Sequence, residues 1–205
     1  MQNDAYRGGL ELNKNNLSDL SMLHLAPIFE KTTGQNIKSL KLDYNNFTSK
    51  TGEYIGGALT ANPGYKIKKI SFEGICLESI GLVRILEAAN QNKNIKKLHI
   101  GTITEAGLKT VADLLVENTS LEELEFEETG DHQKYWTDEG RGAFTETIKR
   151  HTILKKVSIN FERDENDSNA EFRSEVKFYT KKKVKAQKRT EEYEETLESC
   201  NPAAM

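Results

Sequence analysis

The sequence predicts an α/β solenoid: stacked strand–helix units, with parallel strands on the concave side and helices on the convex side. Three observations predict it. An apolar-x-x-apolar-x-apolar core recurs at Ile37/Leu40/Leu42, Ile67/Ile70/Phe72, Ile95/Leu98/Ile100, Leu121/Leu124/Phe126 and Leu154/Val157/Ile159, after a first copy at Arg7 that holds Leu10 and Leu12. The starts, at 7, 37, 67, 95, 121 and 154, lie 30, 30, 28, 26 and 33 residues apart, a spacing that belongs to repeat architectures. Gly52, Gly81, Gly107 and Gly140 precede the next starts by 15, 14, 14 and 14 residues, so an independent landmark keeps the same register. The helical half of each unit is therefore nearly constant in length. Insertions fall in the turn after each strand, where loops tolerate them.

Each unit carries its own punctuation. In the first, Ser18 and Asp19 stand where a helix cap belongs, before LSMLHLAPIFEK, and Pro27 is expected to bend or break that helix. Gly34 closes the unit. In the second, GEYIGG at 52–57 lacks the GxxxxGK[ST] pattern of a phosphate loop and reads as helix packing. In the third, Ser79 precedes Gly81, and NQNKN at 90–94 supplies turn residues. Residues 95–120 are the most regular unit: a short strand, Thr104-Glu105 before the Gly107 helix, and Asn118 at its close. The fifth has the longest turn, TGDHQKYWTDEG at 129–140. After Phe161 the pattern stops. The expected organisation is a solenoid over 1–161, a linker and cap over 162–180 built on Phe172, Val176, Phe178 and Tyr179, and a charged tail, helical or disordered, over 181–205.

These cores, with Asn15 in LELNKNNL and Asn45 in LKLDYNNF, resemble leucine-rich repeats. The unit length and the full helix are similar to the ribonuclease-inhibitor subclass. The resemblance runs from 7 to 161, about six repeats. It implies parallel strands on the concave face. The asparagine place holds Ile75, Ile103, Thr129 and Glu162 in later units, so an asparagine ladder is expected only at the start of the stack.

Composition bounds the function. The chain has 205 residues, a net charge of −3, 36% hydrophobic and 30% charged residues, which suits an elongated body with much surface. No stretch approaches the ~20 apolar residues of a membrane span, and the opening MQNDAYRGGLELN lacks the apolar core of a signal peptide. Two cysteines, Cys76 and Cys200, argue against a disulfide framework, and no metal-ligand spacing is present. The expected setting is cytoplasmic, with a cytoskeletal or ciliary assembly as a narrower version. His24, His99, His132 and His151 have no serine, cysteine or carboxylate placed to make a triad. The expectation is a protein that is not an enzyme and needs no cofactor or metal.

Binding candidates follow from the period of two along each strand. The third, fifth and seventh places point away from the core. They place Lys41, Lys69, Lys97, His99 and Lys156 on one face with Glu123, Glu125 and Glu127. A basic stripe then borders an acidic one, and the three glutamates repel unless neighbouring lysines offset them. This is either a charged docking surface or a soluble face of weak ion pairs. Tyr135 and Trp136 in the 129–140 turn are the second candidate, as exposed anchors for a partner; alternatively they fold back and lengthen the core. The third is KKKVKAQKR at 181–189. EEYEETLE follows at once and no aromatic is interleaved, which weighs against nucleic acid and favours a solvated or partner-binding helix.

The main expectation is a non-catalytic protein-binding module or scaffold subunit, using the concave face and the 129–140 turn. Two alternatives come from resemblance. A stack of such repeats ending in a C-terminal helix is similar to the repeat domain of tropomodulins, which implies actin capping. Ran GTPase-activating proteins use similar repeats, which implies regulation of a small GTPase.

Overall fold

The computed structural model of the chain describes residues 8–30, 37–128, 136–160 and 170–199, with side chains as far as Glu192. Six strands, β1 Gly9–Glu11, β2 Ser39–Lys41, β3 Lys69–Ser71, β4 Lys97–Ile103, β5 Glu123–Glu128 and β6 Lys156–Asn160, form one sheet in chain order, every pair parallel. Helices α1 Asp19–Leu25, α2 Pro27–Glu30, α3 Ser49–Ala61, α4 Glu78–Gln91, α5 Glu105–Leu115 and α6 Asp138–Arg150 alternate with them. The last helix, α7 Ala170–Ser199, follows β6. This is the α/β solenoid that the period implied, of the leucine-rich-repeat type that the resemblance implied.

The register follows the repeat. Leu10, Leu40, Ile70, Leu98, Leu124 and Val157 stand in one cross-strand row. From Leu40 to Val157 that row is buried, while Leu10, on the edge strand, is only partly covered. One residue in each unit turns its carbonyl to the next. Gly8, Lys38, Lys68, Lys96 and Glu122 each accept two backbone N–H groups from the following strand. Because strands pair about 4.8 Å apart, equivalent side chains of successive units rise in columns at that spacing.

Glycine at the helix landmark has a steric cause. A Cβ on Gly52 would lie 2.6 Å from the Gly81 Cα, and one on Gly81 would lie 2.5 Å from the Ser49 carbonyl oxygen. The α3 and α4 backbones touch there. Gly101 answers to a different need. It has φ +68°, at a register shift in β4, and a Cβ would meet the carbonyl oxygens of Ile75 and Phe72.

Side chains of one unit hold the next. Asp19, placed by the sequence as a cap of its own helix, instead accepts Thr48 N (3.0 Å), Thr48 Oγ1 (2.7 Å) and Thr51 Oγ1 (2.7 Å) at the start of α3. Burial opposes its charge, but these hydrogen bonds outweigh it and hold the carboxyl below its usual range. Glu105 does the same for α6, accepting Thr137 N and Oγ1, both at 2.7 Å. Asn45 behaves as the resemblance implied. Its Oδ1 accepts Asn15 N and Leu17 N, and its Nδ2 donates to Leu12 and Leu42 carbonyls. Ile75 and Ile103, at the same place in later units, are buried apolar residues. Thr129 and Glu162 lie outside the described residues, as does Gly34.

A second polar ladder runs at the other turn, which the sequence reading did not single out. Asn62, Asn92 and Asn118 donate through Nδ2 to the Phe29, Tyr65 and Ala89 carbonyls of the preceding units. Asn118 Oδ1 also accepts Ser120 N and Leu121 N. In the last unit His151 takes this place, its Nδ1 accepting Ile153 N (3.3 Å) and Leu154 N (3.0 Å). The signal was an Asn or His three residues before the strand motif in three successive units.

The C-terminal end differs from the expected division. Pro27 does break the first helix, which stops at Leu25 and restarts as α2. But α7 is one helix across the boundary expected at 180/181. Phe172 and Val176 are buried, and Lys183 donates to the Ile148 and His151 carbonyls at the end of α6. Gln187 Nε2 donates to the Thr152 carbonyl at 2.9 Å. The packed face thus extends into the basic block. Lys183 caps carbonyls that the end of α6 leaves without helical partners, and Gln187 satisfies one in the turn that follows.

Candidate functional site

The residues with freedom to act lie where the strands present their non-core side chains. Pairing aligns them in rows. Gly9, Ser39, Lys69, Lys97, Glu123 and Lys156 form one, and Glu11, Lys41, Ser71, His99, Glu125 and Ser158 form the next. A depression of about 570 Å³ opens between them, lined at its basic side by Lys68, Lys69, Lys96 and Lys97 and at its acidic side by Glu122, Glu123 and Glu125.

Ion pairs link neighbouring units across these rows. Lys41 Nζ lies 2.6 Å from Glu11, Lys97 Nζ 2.6 Å from Glu123, Lys156 Nζ 2.6 Å from Glu125 and Lys155 Nζ 3.0 Å from Glu122. The Lys41 hydrogen bond and charge hold the Glu11 carboxyl below its usual range. For Glu125, burial opposes ionisation, yet the Lys156 hydrogen bond and charge, helped by His99, bring its pKa down. Glu123, Glu125 and Glu127 therefore do not stand in mutual repulsion: the first two hold lysines, and Glu127 accepts from the Gly74 N–H (3.3 Å) and the Thr102 hydroxyl (3.5 Å).

The acidic ends of the other strands are also satisfied. Asp43 Oδ1 accepts Glu73 N at 2.9 Å, and Glu73 Oε1 accepts the Tyr44 hydroxyl at 2.5 Å. That bond and burial push the Tyr44 phenol up to about 12. Lys14 sits 5.0 Å from the centre of the Tyr44 ring.

Of the residues singled out in the sequence, the sheet brings Lys41, Lys69, Lys97, His99, Glu123, Glu125, Glu127 and Lys156 onto one face. His99 is a partial correction. It occupies the expected row but is only 6% exposed, its Nδ1 3.9 Å from Glu125 and its Nε2 3.7 Å from Glu127. Of the two readings of Trp136, an exposed anchor or a ring folded back over the core, the structure has the second, which corrects its place among the binding candidates. It is 1% exposed, with its ring 5.7 Å from Phe126 and 5.9 Å from Phe172. The indole fills the space between the last strands and α7, where burying a large ring stabilises more than exposing it. Tyr135, beside it, lies outside the described residues.

The sequence reading missed Lys38, Lys68 and Lys96, which stand at the second place of their units, one before the outward row. Their signal was the repetition itself. The second places read Gly8, Lys38, Lys68, Lys96, Glu122 and Lys155. Among the described residues no three His, Cys, Asp or Glu side chains group as ligands for a metal, and no helix is long and apolar enough to cross a membrane.

No protein-family model matches the chain, and no curated protein does. Among solved structures it is similar to one described as leiomodin-1 actin-binding site 2. The TM-score is 0.56 at 16% identity, over 95% of this chain and 90% of that one. At that identity the likeness bears on the fold.

Proposed function

We propose that this chain is a non-catalytic protein-binding module, built on repeats of the ribonuclease-inhibitor-like subclass, that takes a protein partner on its concave strand face in a cytoplasmic setting. One observation supports this most: six strands in register hold the outward side chains in rows around a depression of about 570 Å³. A rigid sheet places those groups without the ordering cost that flexible loops incur on binding. In this reading the repeats up to residue 161 are the binding body, and the cap within 162–180 together with the packed part of α7 closes the stack.

The test is affinity capture with the full chain beside two variants. Ser39→Trp/Ser158→Trp sets bulky rings on the concave face, and Lys109→Trp alters an exposed position of α5 on the helical side. The expected result is that partners recovered by the wild type and by Lys109→Trp are lost with the double variant. Equal recovery by all three sinks the proposal.

A second reading is favoured by the likeness to the leiomodin-1 actin-binding site: the partner is actin, in a cytoskeletal assembly. Co-sedimentation with actin filaments, together with monomer binding by anisotropy, decides it; no binding in either assay removes actin from consideration. Regulation of a small GTPase has no comparable observation behind it.

A further inference from the structure

The described carboxylates of the strand face have partners within the chain, whereas four of its lysines make no ion pair among the described residues. Glu11, Glu122, Glu123 and Glu125 pair with Lys41, Lys155, Lys97 and Lys156. Asp43, Glu73 and Glu127 accept hydrogen bonds from Glu73 N, the Tyr44 hydroxyl and Gly74 N. Lys38, Lys68, Lys69 and Lys96 make no ion pair among the described residues, and Lys38 and Lys68 are exposed while Lys69 and Lys96 are half-exposed. The chain as a whole is acidic, at −3, yet these four lysines form no ion pair at this edge, and only Lys69 is felt by a carboxylate, acting at longer range on Glu11. Lys68, Lys69 and Lys96 line the depression, so the charge faces a concavity, where field lines concentrate.

We propose that the edge formed by Lys38, Lys68, Lys69 and Lys96 docks an acidic helix of the partner protein, lying across strands β2 to β4. This rests on the concave face being the binding surface. The backbone ladder stacks Lys38, Lys68 and Lys96 in one column, at about 4.8 Å per strand and so about 10 Å over the three. Carboxylates at i, i+3 or i+4 and i+7 of a helix rise by about 5 and 10 Å, at 1.5 Å per residue. An extended segment repeats its same-face side chains at about 6.7 Å and runs out of register by the third lysine. Nucleic acid also carries negative charge, but the lining of the depression holds no Phe, Tyr or Trp as a stacking platform for bases, and its one imidazole, His99, is only 6% exposed. On the β5 side Glu122, Glu123 and Glu125 already hold Lys155, Lys97 and Lys156, so the unpaired lysines end there and the basic edge is confined to β2 to β4.

The test uses the full chain and a labelled peptide of about 15 residues, stabilised as a helix, with glutamates at i, i+4 and i+7. Anisotropy is read between about 25 and 250 mM salt. Three controls accompany it: a peptide of the same composition with the glutamates scattered around the helix, a neutral peptide, and a single-stranded oligonucleotide of similar length. The expected result is binding of the patterned peptide that weakens by at least tenfold across the salt range and at least tenfold in Lys68→Glu/Lys96→Glu. It is unchanged in Lys185→Glu/Lys188→Glu, which alters exposed positions of α7. Circular dichroism and unchanged urea midpoints establish that the variants fold. Equal binding of the scattered peptide, tighter binding of the oligonucleotide through the same lysines, or no effect of Lys68→Glu/Lys96→Glu each overturns the proposal. If partner capture fails in Ser39→Trp/Ser158→Trp but survives in Lys68→Glu/Lys96→Glu, the concave face is the binding surface and the acidic helix is wrong.

Discussion

A histidine at position 151 does the work that Asn118 does one unit earlier. Both accept two backbone N–H groups of the turn leading into the next strand, through Nδ1 in one case and Oδ1 in the other. An asparagine oxygen accepts at any pH, whereas Nδ1 accepts only while it is unprotonated. Burial, joined by the nearby Lys183 charge, pushes His151 down to about 4, against an opposing backbone interaction with Asn118. The sign of the consequence is fixed by which state holds the extra proton. Between pH ~6.5 and about 4 the unfolded chain binds a proton at this histidine and the folded chain does not, so stability falls as the pH falls through that window. The effect amounts to roughly 3 kcal/mol when complete. Asp19 and Glu125, both lowered, add their loss further towards acid, below their ordinary values of 3.8 and 4.5, as the pH falls through their folded pKa values. His151→Asn is expected to fold as well as the wild type at pH 7 and to flatten the decline above the carboxylate range. Urea midpoints measured across pH 4.5 to 7 check this; a decline as steep in the variant would place the titration elsewhere.

At the scale of elements, two kinds of contact hold consecutive units together. Helix pairs α3/α4 meet backbone to backbone at Gly52 and Gly81, where a single methyl has nowhere to go because its neighbours are main-chain atoms. Gly81→Ala is therefore expected to cost about 1–3 kcal/mol by overpacking, despite the gain in helix propensity that alanine brings elsewhere. A midpoint equal to or above the wild type in urea denaturation would contradict it. The end of the stack is held differently. Phe172 of α7 packs edge-on to Trp136 (5.9 Å) and near Phe144 (6.0 Å), and Phe126 lies behind both. These rings cover the apolar side of the last units, which a following repeat would cover in a longer array. Phe172→Ala is expected to cost about 3–5 kcal/mol, and a loss near zero in the same experiment would mean that α7 is not the cap.

For the whole molecule, the periodic part of the fold was legible because each unit repeats the same burial pattern. Leu98 and Ile100 announce their strand as plainly as Leu124 and Phe126 announce theirs. What sequence could not supply was the state of groups that meet only across units. Glu123 and Lys97 are 26 residues apart in the chain, and nothing local shows that they neutralise each other. Trp136 in a polar turn is compatible with either exposure or burial until Phe172, from another element, is seen to cover it. The same geometry dictates how the chain unfolds. Strands pair only with their chain neighbours, and the helix contacts likewise run between consecutive units. Each unit is then stabilised chiefly by the two beside it, and damage is expected to stay local. In Phe172→Ala, native-state amide exchange should rise by about a hundredfold in β6 and α7, given ~3 kcal/mol lost at about 1.4 kcal/mol per tenfold. It should rise less in β5 and α6, and not at all in β2, β3 and α3 under conditions where the chain stays folded. The coupling that Glu127 makes to Gly74, two units away, is the contact most able to carry the effect further. An equal rise in all six strands would show that the stack opens as one unit, and Glu127→Gln in the same background would then be the variant to separate that coupling from a general cooperativity of the sheet.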